Sequence, residues 1–387
     1  MKIAKSLNRL GTEAVYDIFA ETKKLIEQGK KIIDLSLGQS DFKSPNHVVE
    51  AAIQALKDGH HGYTLPNGII ECREAVSRKI KSLYKADISS ERIVIMPGGK
   101  PTMSFAISFF GEPGGEIIYP DPGFPIYESM IKYTGAKATP YNLTIKKDFS
   151  IDIDSILSLI NENTRLLIIN NPHNPTGSLT DKSVIEKLAK GLANFPHVVI
   201  LCDEIYDRLI FGKKEIPTFF SYPNLYDRLI VLNGWSKTYA MTGWRLGWGV
   251  WPEKLVEHVF KFCVNNHSCV NKSAQYGAIA AIDGPEDHLN DMVKEFTTRR
   301  KLMVDGLVSL KGVECSLPGG SFFVFPSVKE TGMNGEEFTK RCLKEAGVAV
   351  IPGTAFGKFG INNVRLNFDT SRENISKAIE KISKILK

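Results

Sequence analysis

The stretch Ser-Lys-Thr-Tyr-Ala-Met-Thr-Gly-Trp at positions 236–244 is followed at once by Arg245, and it comes directly after the apolar run 228–233. That run indicates a buried strand, which puts Lys237 at a strand end. A lysine in a partly desolvated, cationic setting loses its proton more easily than one in water, so it can form a Schiff base. Ser236 and Arg245 supply a hydroxyl and a guanidinium for a phosphate beside it. A Schiff-base lysine next to a phosphate site is what pyridoxal phosphate requires.

Two further strand ends carry polar side chains. Asp203 closes the apolar run 197–203 and Tyr206 follows it, while Asn174 lies in the loop Asn-Asn-Pro-His-Asn-Pro-Thr-Gly at 170–177, after another apolar run. A carboxylate at the C-terminal end of a buried strand points into the crevice where open α/β sheets bind ligands. Against a pyridine nitrogen, it would keep that nitrogen protonated. A Ser-Lys pair or an Asn-Pro-Thr-Gly turn alone is common in loops. Three such strand ends in this order predict a cofactor site.

Over residues 32–365 the chain resembles the fold-type-I, class-I pyridoxal-phosphate aminotransferases, and among them the aspartate-aminotransferase-like branch. The resemblance implies an α/β fold, in which a large domain with a mostly parallel seven-stranded sheet is joined to a smaller α+β domain. It also implies that Lys237 is the catalytic lysine that carries the cofactor, and that Asp203 holds the ring nitrogen. Asn174 and Tyr206 are then expected to hydrogen-bond the cofactor's phenolic oxygen.

The turn Met-Pro-Gly-Gly-Lys-Pro-Thr at 96–102 joins a predicted strand to a predicted helix. Backbone amides at a helix N-terminus form a natural phosphate site. A nucleotide P-loop is the rival interpretation, but it needs a glycine where Val94 stands. In the family this turn donates amides to the cofactor phosphate. Gly99 and Lys100 are therefore expected to donate, whereas Pro101 has no N–H.

Four more residues match positions of the family's site. Phe124, in Asp-Pro-Gly-Phe-Pro-Ile-Tyr at 121–127, matches the aromatic residue that stacks on the pyridine ring, with a core phenylalanine as the alternative. Tyr63 matches a tyrosine that reaches the phosphate of the neighbouring subunit, although alone it is a surface-loop tyrosine. Arg365 lies in a strand-like run, where an arginine is costly to bury unless it meets a planar anion. It matches the arginine that grips the substrate α-carboxylate, and Gly38 matches the glycine that closes over the same group.

Length and composition set the broad class. The chain has 387 residues, of which 43% are apolar and 24% charged, enough for two modest globular domains. A net charge of +6 suits anionic ligands or a generic basic surface, and the scattered lysines give no nucleic-acid footprint. The N-terminus lacks a signal-peptide core and no apolar run reaches membrane-spanning length, which predicts a cytoplasmic protein without a membrane partner. The cysteines and histidines show no metal-ligand spacing.

The pattern of elements predicts the domain organisation. Several strand-like runs are apolar throughout, which is typical of strands covered on both faces by helices; these runs are 92–96, 116–119, 165–169, 197–202, 228–232 and 246–250. After Gly284 a long charged helix and shorter strand-like runs follow. We predict a large cofactor-binding domain at 46–283, with 1–45 and 284–387 forming the smaller domain.

Two helices are predicted near the N-terminus. The first spans 12–28 and carries apolar or weakly polar residues on one face, namely Val15, Ile18, Phe19, Thr22, Leu25 and Ile26. The second begins with Ser44 as its N-cap and Pro45 at its first position, and it ends at about Lys57.

The resemblance implies a ping-pong exchange of the amino group between an L-amino acid and a 2-oxo acid. Aspartate with 2-oxoglutarate is the favoured pair, because in aspartate-specific relatives a lysine at the position of Lys100 helps hold the distal carboxylate. The opposing interpretation is a first-turn lysine in solvent, with an aromatic amino acid or alanine as the next candidates. Phe124 and Asn174 are also expected at the substrate. Tyr63 implies a homodimer with shared active sites.

Other functions share the same cofactor contacts. A β-lyase, a decarboxylase or a cyclising synthase would use the same scaffold, and the sequence separates these poorly from an aminotransferase. A non-catalytic, ligand-sensing aminotransferase-like domain of a transcription regulator is the remote alternative. Such regulators carry an N-terminal helix-turn-helix module, for which the chain has no room before the resemblance begins.

Overall fold

The computed structural model describes residues 1–12, 14–212 and 215–386. In these residues the strands are β1 (Ile33–Asp34), β2 (Ile93–Met96), β3 (Glu116–Asp121), β4 (Lys137–Asn142), β5 (Thr164–Asn170), β6 (Val199–Asp203), β7 (Leu229–Gly234), β8 (Gly247–Val250), β9 (Phe323–Val324), β10 (Val348–Ala349), β11 (Ile351–Pro352) and β12 (Val364–Asn367). The α-helices are α1 (Ala14–Glu27), α2 (Asn46–Lys57), α3 (Ile70–Tyr84), α4 (Lys100–Phe110), α5 (Ile126–Thr134), α6 (Ile153–Leu159), α7 (Lys182–Leu192), α8 (Glu253–Asn266), α9 (Lys272–Asp283), α10 (Asp287–Val308), α11 (Gly335–Arg341) and α12 (Arg372–Ile385).

A seven-stranded sheet in the order β2-β8-β7-β6-β5-β3-β4 forms the centre of the fold. Its strands run parallel except β8, which is antiparallel to both β2 and β7. The predicted mostly parallel, seven-stranded α/β sheet is therefore confirmed. The edge strand β4 was not predicted, because its residues alternate between buried and exposed and include a proline and an asparagine instead of forming an apolar run.

Helices cover both faces of this sheet, which explains why the central parts of its inner strands are apolar at successive positions. In β7, Leu229 and Val231 pack into one hydrophobic core, whereas Ile230 and Leu232 pack into a second core on the opposite face. Successive side chains of a strand point to opposite faces, so a strand buried on both sides needs an unbroken apolar run.

Segments from the two ends of the chain form a third hydrophobic core. β1 pairs in parallel with β10, and β12 lies between β11 and β9 in a small antiparallel sheet. Helices α10 and α12 pack on these strands, and Tyr206, Leu209 and Phe211 from the segment after β6 join the same core. The proposed domain bounds, 46–283 against 1–45 with 284–387, stay a prediction, and they include positions 13, 213, 214 and 387, which lie outside the described residues.

Two predictions near the N-terminus are corrected. Val15 and Thr22 of α1 are buried, but Phe19 and Ile26 are exposed in the single chain, so the buried face is narrower than predicted. The predicted first turn of that helix includes position 13, outside the described residues. Ser44 is not the N-cap of α2, because its hydroxyl donates to the carbonyl of Ala240 (3.0 Å) and accepts from the indole of Trp244 (3.0 Å). Over the described part of the chain, no helix has the length and apolar character needed to cross a membrane.

Candidate active site

A cavity of about 450 Å³ opens where β5, β6 and β7 end, and nearly all predicted site residues line it. The lining includes Gly38, Gly99, Lys100, Phe124, Asn174, Asp203, Tyr206, Ser236, Lys237, Arg245 and Arg365. Tyr63 is not among them, and its side chain is 91% exposed in the single chain. Strand ends, helix starts and a distant C-terminal strand thus meet at one cavity.

Lys237 lies just beyond the end of β7 and reaches across the cavity. Its Nζ donates a hydrogen bond to the carbonyl of Gly38 at 2.6 Å. The same atom lies 5.8 Å from the ring centre of Tyr206 and 5.4 Å from that of Phe322. An amine held by one carbonyl and two aromatic faces is well oriented but poorly solvated.

Because of its surroundings, more of Lys237 is in the neutral, proton-accepting form near neutral pH than is the case for an ordinary lysine. Burial lowers its pKa to about 8, and the nearby cations Arg365, Arg245 and Lys100 act in the same direction, whereas Asp369 opposes them. An amine with a pKa close to neutral can take up and release a proton during turnover. This is the form of lysine that the sequence predicts.

Asp203 ends β6 and is buried in the floor of the cavity. Its Oδ2 accepts a hydrogen bond from the hydroxyl of Tyr127 at 2.7 Å, and its Oδ1 accepts from the amide of Ile205 at 3.2 Å. Burial raises the pKa of Asp203 to about 6, while the Tyr127 bond holds it down. The carboxylate is therefore ionised at neutral pH and able to face a cation. Tyr127 was not predicted, although it closes the quoted segment 121–127.

The turn before α4 packs closely against Arg245. A Cβ on Gly98, where φ is +89°, would lie 2.3 Å from Nη2 of Arg245, and a Cβ on Gly247 would lie 2.4 Å from the carbonyl carbon of Gly98. Only glycines allow this approach. Arg245 itself has φ +56° and donates from Nη1 to the carbonyl of Thr242 at 2.7 Å. The guanidinium is thereby held beside the amides at the start of α4.

Phe124 and Lys100 stand together at another part of the lining. Lys100 Nζ lies 5.5 Å from the ring centre of Phe124 and 5.8 Å from that of Tyr16. Phe124 in turn packs edge-on against Tyr127, with ring centres 5.9 Å apart. Tyr16 and Val15 of α1 also line the cavity, and the sequence carries no local signal for their presence there.

Arg365 is buried on β12 and held in a fixed plane. Its Nη1 donates to Oδ1 of Asn174 at 3.1 Å and its Nη2 donates to the carbonyl of Ser36 at 2.6 Å. The guanidinium carbon lies 4.4 Å from the ring centre of Phe323 and 4.7 Å from that of Phe356. A planar cation between two rings suits a planar carboxylate.

The segment 36–38 lies along β12 and closes the cavity. Asn367 Nδ2 donates to the carbonyl of Leu37 at 2.6 Å, next to the bond from Arg365 to Ser36. A Cβ on Gly38 would lie 3.0 Å from Cζ of Phe323, so a larger residue would push this segment away. The carbonyl of Gly38 thereby stays within reach of Lys237.

Comparison with known proteins gives the chain its relatives. A family model described as aminotransferase class I and II matches residues 30–382. A probable aspartate aminotransferase of Methanocaldococcus jannaschii is 36% identical, over 91% of this chain and 93% of that protein. The solved aspartate aminotransferase from Rhizobium meliloti has a TM-score of 0.95 and 27% identity, covering 100% of this chain and 99% of that one. An alanine aminotransferase from Pyrococcus furiosus has a TM-score of 0.92 and 30% identity, with coverages of 100% and 99%.

Proposed function

The chain belongs to the class I and II aminotransferases, and from that membership we propose that it transfers the amino group of L-aspartate to 2-oxoglutarate. It is an aminotransferase of the pyridoxal-phosphate-dependent kind, and the family implies that cofactor. The choice of amino acid and the role of each residue are the proposed parts. The exchange is of the ping-pong type, with the amino acid leaving as its 2-oxo acid before the second 2-oxo acid binds.

The residues present fit pyridoxal phosphate. When bound, the cofactor supplies an electron sink for the negative charge that develops at the substrate α-carbon. Lys237 would hold its aldehyde carbon and Asp203 its ring nitrogen. Ser236, Arg245 and the amide of Gly99 would hold the phosphate, and the glycines beside Arg245 let its guanidinium lie against the turn before α4.

The remaining cofactor contacts come from residues that already face the cavity. Asn174 and Tyr206 would hydrogen-bond the phenolic oxygen, and Phe124 would pack against the ring. The amide of Lys100 adds a second donor at the start of α4.

One observation supports the chemistry most: the Lys237 amine, with a pKa lowered to about 8, shares one cavity with the buried Asp203 and Arg365. In the proposed reaction, Lys237 would act first as base and then as acid: it would remove the proton from the substrate α-carbon and donate a proton to the cofactor carbon that it had held, and the second half-reaction would reverse this transfer. Arg365 binds the α-carboxylate and Gly38 closes over it. Because the guanidinium is fixed between two rings, the carboxylate is oriented before the proton moves.

Aspartate is favoured because the cavity contains a second cation for a second carboxylate. Lys100 begins α4 beside Phe124, where its ammonium could bind the distal carboxylate of aspartate. The Methanocaldococcus jannaschii relative is named for the same amino acid. Alanine is the second candidate, since Lys100 lies over the rings of Phe124 and Tyr16, and the Pyrococcus furiosus structure is named for alanine.

We also propose a homodimer in the cytoplasm, in which Tyr63 reaches the phosphate of the partner's cofactor. Tyr63 is exposed and lies outside the cavity of its own chain. Large apolar side chains are exposed on α1 and α2 and in the segment that follows α2, including Tyr16, Phe19, Ile53, Leu56 and Leu65. A second copy would bury such side chains. Sedimentation of the active enzyme at assay concentration distinguishes a dimer from a monomer.

Borohydride reduction of the cofactor-loaded enzyme tests the role of Lys237. Reduction should fix the cofactor to the peptide that contains Lys237, and Lys237→Ala should lose at least roughly a thousandfold in kcat with aspartate and 2-oxoglutarate. Lys79→Ala serves as the control, because Lys79 is another buried lysine but lies near Tyr239, outside the cavity. Near-normal turnover by Lys237→Ala would refute the proposed chemistry.

A further inference from the structure

Polar side chains occupy alternate positions along β12 and just beyond it. Arg365 and Asn367 bond the carbonyls of Ser36 and Leu37, while the residues between them pack into the third hydrophobic core. Past the strand end the chain stays paired, since the amide of residue 368 donates to the carbonyl of residue 322 at 3.0 Å. Side chains of an extended chain alternate between faces, so Asp369 continues the polar face of β12.

Asp369 is buried, and one of its two carboxyl oxygens lacks a hydrogen-bond partner among the described residues. It is 4% exposed, and within the described residues its Oδ2 has no hydrogen-bond partner. By contrast, Asp203 accepts from Tyr127, and Glu204 accepts from the hydroxyl of Thr218 at 2.9 and 3.0 Å. A buried carboxylate with an oxygen that lacks a hydrogen bond depends on nearby cations to stay ionised.

Charged groups surround Asp369 on several elements. Lys237, Arg365 and Arg299 of α10 favour its ionised form, and Asp41 disfavours it. Asp41 is itself paired with Arg299, whose Nη1 lies 2.8 Å from its Oδ1. Burial raises the pKa of Asp369 well above its usual value, and Lys237 is the group that most strongly opposes this rise.

The effect is mutual, because Asp369 also influences the proton on Lys237. Arg365, Arg245 and Lys100 are cations that disfavour a proton on its amine, and Asp369 is the anion that favours one. If the carboxylate were neutral, the effect of the three cations would be unopposed. The Lys237 nitrogen would then lose its proton at a lower pH.

We propose that Asp369 is a positioning residue for Lys237, whose buried carboxylate sets the pH at which the Lys237 nitrogen gains its proton. Asp369 follows the row in which Arg365 and Asn367 bond the carbonyls of Ser36 and Leu37, and Lys237 bonds the next carbonyl, that of Gly38. Asp369 is not part of the cavity lining, so it acts on Lys237 without touching the substrate. The inference rests on the proposed role of Lys237. The negative charge of Asp369 thus offsets the cations around Lys237, so that the amine can still be protonated near neutral pH.

The test is a pH titration of the holoenzyme, in which the visible absorbance of the bound cofactor reports the proton on the Lys237 nitrogen. Asp369→Asn keeps the shape of the side chain but removes its charge. We expect its midpoint to fall by about one pH unit relative to wild type. The alkaline limb of the kcat profile should move with it, which loss of packing alone would not produce.

Two variants control for charge and shape. Asp41→Asn removes one negative charge from the far side of Asp369 and should leave the midpoint unchanged, because Asp41 pairs with Arg299. Asp369→Glu keeps the charge and should titrate close to wild type. If Asp369→Asn does not fold, Asp369→Ser provides a smaller neutral residue.

The outcomes separate the two proposals. A midpoint in Asp369→Asn equal to that of wild type would mean that Asp369 is protonated throughout, and this would overturn its role. Failure of both neutral variants to fold would assign Asp369 to stability and also overturn it. If borohydride does not attach the cofactor to Lys237, the proposed function itself fails, whatever the titration shows.

Discussion

The cavity has two sides that are built differently. The sheet side consists of side chains at the strand ends of the seven-stranded sheet, above all Asp203 and Lys237, and a continuous hydrogen-bond ladder holds these strands in register. The β12 side consists of Arg365 and the segment 36–38. Only individual hydrogen bonds hold it together, from the side chains of Arg365 and Asn367 to the carbonyls of Ser36 and Leu37. A rigid sheet side suits a permanently bound cofactor, and a side held by a few replaceable bonds suits a substrate that enters and leaves.

Replacement of Asp203 on the sheet side should have the largest effect. Asp203→Asn removes the charge that is proposed to face the cofactor ring, and kcat should fall roughly a hundred- to a thousandfold, with little change in substrate KM. Glu204→Gln is the matched control. Burial raises the pKa of Glu204 to about 8, so its carboxyl is mostly neutral and an amide can replace it. Equal losses in both variants, measured by steady-state kinetics, would contradict the special role of Asp203.

Replacement of Arg365 on the β12 side should mainly change substrate binding. Arg365→Lys keeps the charge but loses the planar fork. The loss of roughly 1.5–3 kcal/mol of binding free energy should lower kcat/KM about ten- to a hundredfold, mostly through KM. Arg92→Lys is the control, since Arg92 bonds two backbone carbonyls away from the cavity. Unchanged cofactor retention in Arg365→Lys would support the distinction between the two sides, and loss of cofactor would abolish it.

A substitution at Lys100 tests whether this residue binds the side chain of the substrate. Lys100→Met removes one charged hydrogen bond, which contributes about 1.5 kcal/mol. It should therefore lower kcat/KM for aspartate about tenfold relative to that for alanine. Alanine, which has no distal carboxylate, is the internal control. If the two amino acids lose equally, Lys100 does not select aspartate, and alanine becomes the better candidate for the donor.

Removal of the Tyr127 hydroxyl should have the smallest effect. Because its hydrogen bond holds the pKa of Asp203 down, Tyr127→Phe should raise that pKa above about 6. Asp203 would then be protonated at higher pH, and the acid limb of the kcat/KM profile should move upward by up to about one unit. Tyr141→Phe is the control, since the buried hydroxyl of Tyr141 donates to a backbone carbonyl at 3.2 Å. An upward move of the same size in both variants would rule out a specific effect on Asp203.

The sheet side was largely predictable from local sequence. Asp203, Asn174 and Lys237 each follow an apolar run, and parallel strands bring such ends to one edge of a sheet. Tyr127 was missed because its contact with Asp203 depends on the order of the strands, which local patterns do not reveal. The misassigned cap at Ser44 has a related cause, since tertiary partners compete with the helix for its hydroxyl.

The β12 side was predicted mainly through family resemblance, apart from the unusual position of Arg365 in a strand-like run. Arg365 and Gly38 could be named by their motifs, but nothing in the sequence connects Ser36 with Arg365, or Tyr16 with Lys100. Asp369 is the clearest example of a residue whose burial could not be predicted from the sequence. Two residues beyond a short strand, it resembles an ordinary loop aspartate, and only the packing of β12 beneath the segment 36–38 reveals its burial.

The bond between Arg365 and the carbonyl of Ser36 has a consequence for the order in which the protein is made. It joins residues 329 positions apart, and β1 likewise can pair with β10 only after the chain has been made almost to its other end. On the ribosome, the strands of the seven-stranded sheet emerge long before β12 does. Such long loops are slow to close, so Arg365 takes its place only after the sheet side of the cavity can already exist. An unfinished chain therefore has the residues proposed to hold the cofactor but lacks Arg365, the residue proposed to bind the α-carboxylate of the amino acid.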